Sequence, residues 1–336
     1  MTHPLPDGFT SRPATADDAE RVAMLWNDRT EYVRGDRSST PKRVLKMWDH
    51  PRFDLPTDSR LVFAPDGALI GYAHILNVKD PPVDVFAGFS VHPDHDTADW
   101  LWDSLFAWMA AEARRVVPKA PEDALIALVA GAVDEDATEQ RVLERHDFSR
   151  NRTFRRMRMD FDSPPKEARW PAGISVRTIA SGEDDEALVA AHRESFAGHY
   201  GYLEQPFETD LEQWRRWMGE DDFDPALWFL ATDDAEDGSI AGYCTCYAEV
   251  PGEPERGLID ELGVRPAWRR RGIAQALLLH AFGELHKREI KGAILTVDSE
   301  NRTGATGLYE RAGMRPVLIN HTYVKELRPG RNLVVQ

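Results

Sequence analysis

The chain has 336 residues, 42% of them hydrophobic and 29% charged, with a formal net charge of -16 and a pI near 5.2. That is enough for two soluble domains of ordinary size, and the acidic balance argues against general nucleic-acid binding while slightly favouring a cationic acceptor such as an amine. No apolar run approaches the ~20 residues of a membrane span, and the N-terminal MTHPLPDGFT lacks the basic flank and apolar core of a secretion signal, so a cytoplasmic location is expected.

Read in chain order, the sequence repeats itself. FTSRPATADDAERVAMLWN, near the start, has the pattern of a strand, a capped turn and an amphipathic helix, and ISVRTIASGEDDEALVAAHRESF from Ile174 has it again. LVFAPDGALIGYAHIL from Leu61 and WFLATDDAEDGSIAGYCTCY from Trp228 both have an apolar strand, an acidic and glycine turn, and a second strand, which predicts two hairpins. VFAGFSVHPDHDTADWLWDSLFAWM then parallels LIDELGVRPAWRRRGIAQALLLHAF, and VLERHDFSRNRTFRRMRMDF parallels GLYERAGMRPVLINHTYVKEL. Four segments recur in one order. They predict two tandem α/β domains, each a twisted mixed sheet flanked by helices, over residues 1–162 and 174–336. SPPKEARWPAG, residues 163–173, breaks both periodicities and is the expected linker.

Two details bear on chemistry. His92 and His95 have HxxH spacing with acids nearby, but a loop without further ligands reads as a solvated turn, so no metal is expected. Cys244 and Cys246 are alternate residues of an expected strand. They share a face but should diverge, which makes a poor disulfide and two reduced structural thiols.

The sharpest signal is VRPAWRRRGIAQALLLHAFGELHKR, residues 264–288. Ala274, Leu277, Leu278, Ala281, Phe282 and Leu285 fall on one helical face, and the strand GLIDELGV precedes the turn. Cations are disfavoured at a helix N-terminus, which already carries about half a positive charge. Arg269, Arg270 and Arg271 placed there, beside Gly272, suggest a site awaiting an anion. Turn amides can cradle a pyrophosphate, Gly272 and Ala274 keep the approach small, and arginines add charge-assisted bonds.

These residues resemble the (Q/R)xxGx(G/A) signature of the GCN5-related N-acetyltransferases, the GNAT superfamily. ILTVDSENRTGATGLYERAGM matches that family's later strand, asparagine-bearing loop and tyrosine-bearing helix. The two-domain arrangement is similar to the tandem, mycothiol-synthase-like branch. The resemblance implies that Arg269, Arg270, Arg271, Gly272, Ile273, Ala274 and Asn301 hold acetyl-CoA. It also implies that the strand segment Leu262, Gly263 and Val264 splays from its neighbour to receive the pantetheine arm. Gly263 is expected to sit at a bulge. Glu261 would be the general base for the amine and Tyr309 the acid for the departing thiolate. Asn301 to Tyr309 is eight residues, one more than in many relatives. Asp260 should point away from Glu261.

Aligning the halves sets Asp99 where Gly272 stands, Gly88 where Glu261 stands and Leu143 where Tyr309 stands, so the first half should keep the fold without cofactor or catalysis. Glu194, His199, Tyr202, Glu204 and Trp214 are candidates for the acceptor pocket. The expected function is acetyl-CoA-dependent N-acetylation of a small-molecule amine, by a chain that is monomeric with pseudo-dimeric halves. A non-catalytic CoA-binding scaffold, a mycothiol synthase proper and a nucleic-acid-binding turn are the competing readings.

Overall fold

The computed structural model describes residues 5–236, 238–250, 252–301 and 304–335. The first half of the sequence runs β1 (Thr10–Arg12), α1 (Ala19–Arg34), α2 (Pro41–Trp48), α3 (Leu55–Asp58), β2 (Ser59–Phe63), β3 (Leu69–Leu76), β4 (Asp84–Val91), α4 (Asp99–Ala113), β5 (Ile126–Val133), α5 (Ala137–Arg145) and β6 (Ser149–Asp160). The second half runs β7 (Ile174–Thr178), α6 (Asp185–Phe196), α7 (Phe207–Met218), β8 (Trp228–Asp233), β9 (Ser239–Tyr247), β10 (Arg256–Val264), α8 (Ile273–Lys287), β11 (Gly292–Asp298), α9 (Ala305–Ala312) and β12 (Arg315–Arg328). Apart from the one-turn α3, the second list repeats the first.

The repeat extends to local chemistry. Arg12 grips Asp18 through two 2.7 Å hydrogen bonds, and Asp18 also accepts from the Thr15 amide, tying β1 to the start of α1. The Arg12 guanidinium holds the Asp18 carboxyl down at about 2. Arg177 grips Asp184 in the same way at 2.6 and 2.7 Å, tying β7 to α6.

The chain divides into two compact units, but not where the sequence repeat divides. One holds residues 1–153 and 319–333, the other residues 154–318 and 334–336. In unit 1 the strands run β1-β2-β3-β4-β5-β12, and in unit 2 β7-β8-β9-β10-β11-β6. Each unit therefore takes its sixth strand from the other half of the sequence. β6 lies antiparallel along the whole of β11, from Gly292 opposite Asp160 to Asp298 opposite Phe154. β12 lies antiparallel along β5, from Asn320 opposite Val133 to Arg328 opposite Ile126. The expected boundary at 162 and 174 fails for this reason: a repeat unit and a folding unit differ by one exchanged strand. The segment 163–173 is no free linker either. Ala168 and Trp170 pack on the unit 2 core, and the Trp170 ring meets His280 edge-on at 5.9 Å.

Each sheet is antiparallel except at one pair, β4 with β5 and β10 with β11. In unit 2 one face is closed by α8 and α9 over Leu277, Phe282, Leu295 and Tyr309. The other is closed over β8 and β9 by α6 and α7, through Leu188, Trp214, Trp228 and Tyr243. Cys244 and Cys246 lie on the α8 side, fully buried and reduced, with Sγ atoms 3.6 Å apart, so they converge rather than diverge. Strand twist and the bulge in β10 that pairs with them bring the two side chains together.

Removing an exchanged strand exposes a long edge of a central strand. Residues 174–336 expressed alone should lack cooperative thermal unfolding, whereas residues 154–336 should regain it in the second unit. A sharp transition for 174–336 by circular dichroism would show that β6 is dispensable.

Candidate active site

β10 is the strand on which the site is built. It pairs in parallel with β11 only at Arg256, Leu258 and the residue between them, then continues to Val264 paired with β9 alone. β11 meanwhile stays on β6 to Asp298. The two strands therefore part after Leu258, and the β11-facing backbone groups of Ile259–Val264 make no ladder with it. Such a cleft through a sheet offers amide donors and carbonyl acceptors to an extended ligand.

The register shift in β10 falls between Ile259 and Glu261, so Asp260 is the bulged residue rather than Gly263. The Glu261 amide donates to the Thr245 hydroxyl at 3.1 Å in the bulge. Gly263 has a different duty. A Cβ there would come within 2.5 Å of the Tyr243 ring and 3.1 Å of Ser195, so glycine permits the close packing of β10 on β9 and α6.

Cross-strand partners share a face. Glu261 stands opposite Thr245, with Tyr243 on the α6–α7 side, while Leu262 stands opposite Cys244, on the α8–α9 side with Tyr309. Glu261 and Tyr309 thus lie on opposite faces of the parted sheet. Burial pushes the Glu261 carboxyl up to about 8, with the charge of Asp260 adding to it. Burial also raises the Tyr309 phenol, helped by Cys244 and by Glu261. A base that ionises near neutrality and a phenol that keeps its proton are suited to opposite halves of an acyl transfer.

At the end of β10 the chain turns into α8. Gly272 caps the helix with φ +89°, and Arg270 also adopts a left-handed conformation with φ +64°. A Cβ built on Gly272 meets nothing within 4 Å, so the space before the helix is open. This arrangement fits a pyrophosphate: a 15-residue helix with bare N-terminal amides beside an open glycine. The arginines divide the work. Arg269 donates to the Val264 carbonyl at 3.0 Å and the Ser195 carbonyl at 2.8 Å, lashing the turn to α6. Arg271 lies 3.6 Å from Asp233, which also accepts from Trp268 at 2.7 Å. Arg270 is exposed at the apex. Ile273 is core, and Ala274 is partly buried in the first helical turn.

The predicted residues do not all assemble into one pocket. Glu194 is engaged by Arg265 in a bidentate pair at 2.8 Å, which with Arg269 anchors the end of α6 to the turn. Trp214 is a core residue, its ring among those of His192, Trp217, Trp228 and Tyr243. Glu204 is 82% exposed, 3.5 Å from Arg193. Tyr202 accepts through its carbonyl from the Val335 amide at 2.9 Å, in the segment after α6. His199 is half-buried where Arg269 and Asp298 both act on it; burial, then Arg269, lowers its pKa. The Asn301 amide donates to the Asp298 carbonyl at 3.2 Å. Residues 302 and 303, part of the longer Asn301–Tyr309 spacing, lie outside the described residues.

Sequence reasoning missed a second set. Tyr243 and His192 share a 2.7 Å hydrogen bond, and burial drops His192 to about 4, so the imidazole is neutral. Phe154 and Arg156 reach this face on the exchanged strand, opposite Asp298 and Thr296. The basic run RNRTFRRMR was the available signal, but it sits in the other half of the sequence.

Residues 165–314 match the acetyltransferase (GNAT) family model. The chain is 32% identical over 314 residues to a mycothiol acetyltransferase of Streptomyces coelicolor, covering 90% of this chain and 94% of that one. It is 34% identical over 303 residues to a mycothiol acetyltransferase of Thermobispora bispora, covering 89% and 93%. The protein belongs to the GNAT family. It is an acetyltransferase, and its family uses acetyl-CoA. A GCN5-related N-acetyltransferase structure from Sphaerobacter thermophilus superposes with a TM-score of 0.82 at 32% identity, over 98% of this chain and 99% of that one. A tandem GNAT protein from the clavulanic acid biosynthesis pathway shares the fold, with a TM-score of 0.68 at 18% identity over 96% and 100%. Among the described residues no helix is long and apolar enough to cross a membrane, and no three His, Cys, Asp or Glu side chains cluster as metal ligands.

Unit 1 keeps the acetyltransferase outline but fills the corresponding places. β4 pairs with β5 from Asp84 to Ala87 and then parts from it. Opposite Gly88, the imidazole of His74 lies where a side chain would project: a Cβ on Gly88 would sit 1.9 Å from it. Leu143 is fully buried in the core. At the start of α4, Asp99 pairs with Arg145. Beside it Arg29, 5% exposed, binds Asp96 and donates to Asp136 at 2.7 Å, with Glu139 3.7 Å away. Burial and Asp136 push Glu139 up to about 8, so it stays protonated near neutrality.

Two outcomes follow. Arg29→Met strands buried carboxylates, which should cost about 3–5 kcal/mol, read as a large drop in thermal midpoint. For Glu261, the folded state retains a proton that the unfolded chain releases above its ordinary value of 4.5, up to about 8. Its contribution to stability is therefore lost as pH rises through that window. Glu261→Gln should gain stability relative to the wild type between pH 5 and 8; a constant difference across that range would contradict the shift.

Proposed function

We propose that the protein acetylates a primary amine of a small molecule by direct attack on acetyl-CoA in a ternary complex, using unit 2 alone. The observation that carries this reading is the parted β10–β11 pair, with an elevated carboxyl on one face of the opening and a protonated phenol on the other. In this reading the amides at residues 272–274 bind the pyrophosphate and Ile259–Val264 lends backbone groups to the pantetheine arm. Glu261, ionised, takes the proton from the acceptor ammonium, directly or through water. The amine nitrogen bonds to the thioester carbon, free amides of the parted strand support the oxyanion, the carbon–sulfur bond breaks and Tyr309 protonates the thiolate, while the second proton, left on the attacking nitrogen, passes back through water to the Tyr309 phenolate. The neutral amide and free CoA thiol balance the step.

The acceptor is the deacetylated precursor of mycothiol. This is supported by relatives of that name, about one-third identical over about nine-tenths of the chain. Unit 1 is the non-catalytic partner, because Asp99, Gly88 and the Arg29 cluster oppose an incoming phosphate and leave no base. The chain works as a monomer in the cytoplasm. A non-catalytic CoA scaffold is the competing reading, and it leaves the pairing of Glu261 with Tyr309 without a purpose.

Calorimetric titration with acetyl-CoA should give one site per chain, abolished by Gly272→Glu. Two equivalent sites would refute the assignment for unit 1, and no binding would sink the transferase reading. Turnover should rise with pH towards about 8 as Glu261 ionises and should lose that limb in Glu261→Gln. Glu261→Gln and Tyr309→Phe should each reduce kcat/KM by about 10²- to 10⁴-fold. Retention of full activity by Tyr309→Phe would remove that residue from the acid role.

A further inference from the structure

Thr296 lies in β11 beyond Ile294, the last residue paired with β10, and is exposed on the β6-paired stretch, while Leu295 and Val297 on the opposite face are buried. The α6–α7 layer that closes this face over β8 and β9 therefore leaves β11 open at Thr296, although Ile294, two residues earlier on the same face, is buried. The open floor lies on the same face as Glu261, on the far side of the parted strands. Its other wall is the exchanged strand: Arg156 stands directly opposite Thr296, and Phe154, two pairs further on, meets the Tyr200 ring at 6.4 Å. Arg156 is itself oriented, its Nη2 2.9 Å from Oε1 of Glu253 in the loop before β10. The pair is a quarter to a third exposed, so the guanidinium and carboxylate edges remain available.

We infer that this floor is the subsite for the part of the acceptor remote from its amine, and that Arg156, with Glu253 and Thr296, selects acceptors rich in hydroxyl groups. This rests on the acetyltransferase reading above. A lone cation would favour an anionic substituent. A guanidinium held against a carboxylate, beside a hydroxyl, instead presents donors and acceptors side by side. Neighbouring hydroxyls, each both donor and acceptor, match that pattern, and an apolar amine leaves it unpaired, which is how hydroxyl-reading sites discriminate. Arg156 is thus a specificity-determining residue supplied to unit 2 by the half of the sequence that builds unit 1.

The test uses the full chain with acetyl-CoA and three acceptors: the deacetylated mycothiol precursor, glucosamine, and cyclohexylamine as a six-membered-ring amine without hydroxyls. The wild type should prefer the hydroxylated amines, and Arg156→Ala should raise their KM by about tenfold or more, shrinking the preference over cyclohexylamine by a similar factor. Thr296→Val should act in the same direction and Arg156→Lys less strongly. Titration of each variant with acetyl-CoA shows that the fold is intact. Equal losses for hydroxylated and plain amines, an unchanged preference in Arg156→Ala, or no turnover of either hydroxylated amine by an enzyme that binds acetyl-CoA would overturn the inference. Failure of the wild type to bind acetyl-CoA would instead sink the transferase reading itself.

Discussion

The constraint on which the rest depends is that β10 must abandon β11 after Leu258. A parallel pair that stops after three positions leaves a central strand half-supported, and buried backbone groups without partners are costly. β11 survives because β6 holds it along all seven residues, from Gly292 to Asp298. The opening in the sheet and the exchanged strand are two sides of one arrangement. The same relation recurs in unit 1, where β4 leaves β5 after Ala87 and β12 runs along β5 from end to end. There the opening persists although Gly88 and Leu143 stand where unit 2 has Glu261 and Tyr309, which marks it as a property of the architecture.

Within unit 2, one physical effect prepares both chemical partners. Removal from water raises a carboxyl and a phenol alike, because in each the charged form loses its solvation. For Glu261 the result is a carboxyl that ionises near neutrality; for Tyr309 it is a phenol that keeps its proton. In the proposed reaction, their placement on opposite faces keeps the two proton transfers apart. The arginines beside Gly272 give the turn its rigidity. Arg265 and Arg269 fasten the α6 end to it, through Glu194 and the carbonyls of Val264 and Ser195.

Much of this was legible in the residues. The repeated order of segments foretold the repeated elements, and the spacing after Gly272 foretold α8. Local signals such as these depend on neighbours a few positions apart. What escaped depends on distant ones. Nothing in SRNRTFRRMRMDF says that it will lie on β11 rather than beside β5, since either antiparallel pairing buries its alternate methionines. Glu194 and Trp214 were plausible pocket residues by type and position. Only the fold shows that Arg265 already occupies one and that aromatic rings enclose the other. The bulge at Asp260 was placed at Gly263 because glycine often marks bulges. Here glycine was instead required by the Tyr243 ring.

The exchanged strands also impose an order on events at the ribosome. Most of unit 1 is made before unit 2, yet its sheet is closed by β12, which follows β7–β11 in the chain. The Tyr323 hydroxyl meets Gln140, 183 positions earlier, at 3.4 Å. Until β12 emerges, β5 has an unguarded edge, and closing it requires a contact of very large sequence separation, the slowest kind to form. The N-terminal unit therefore cannot mature ahead of the C-terminal one, as independent domains do during synthesis. The nascent chain must carry β5 with an open edge until β12 has been made.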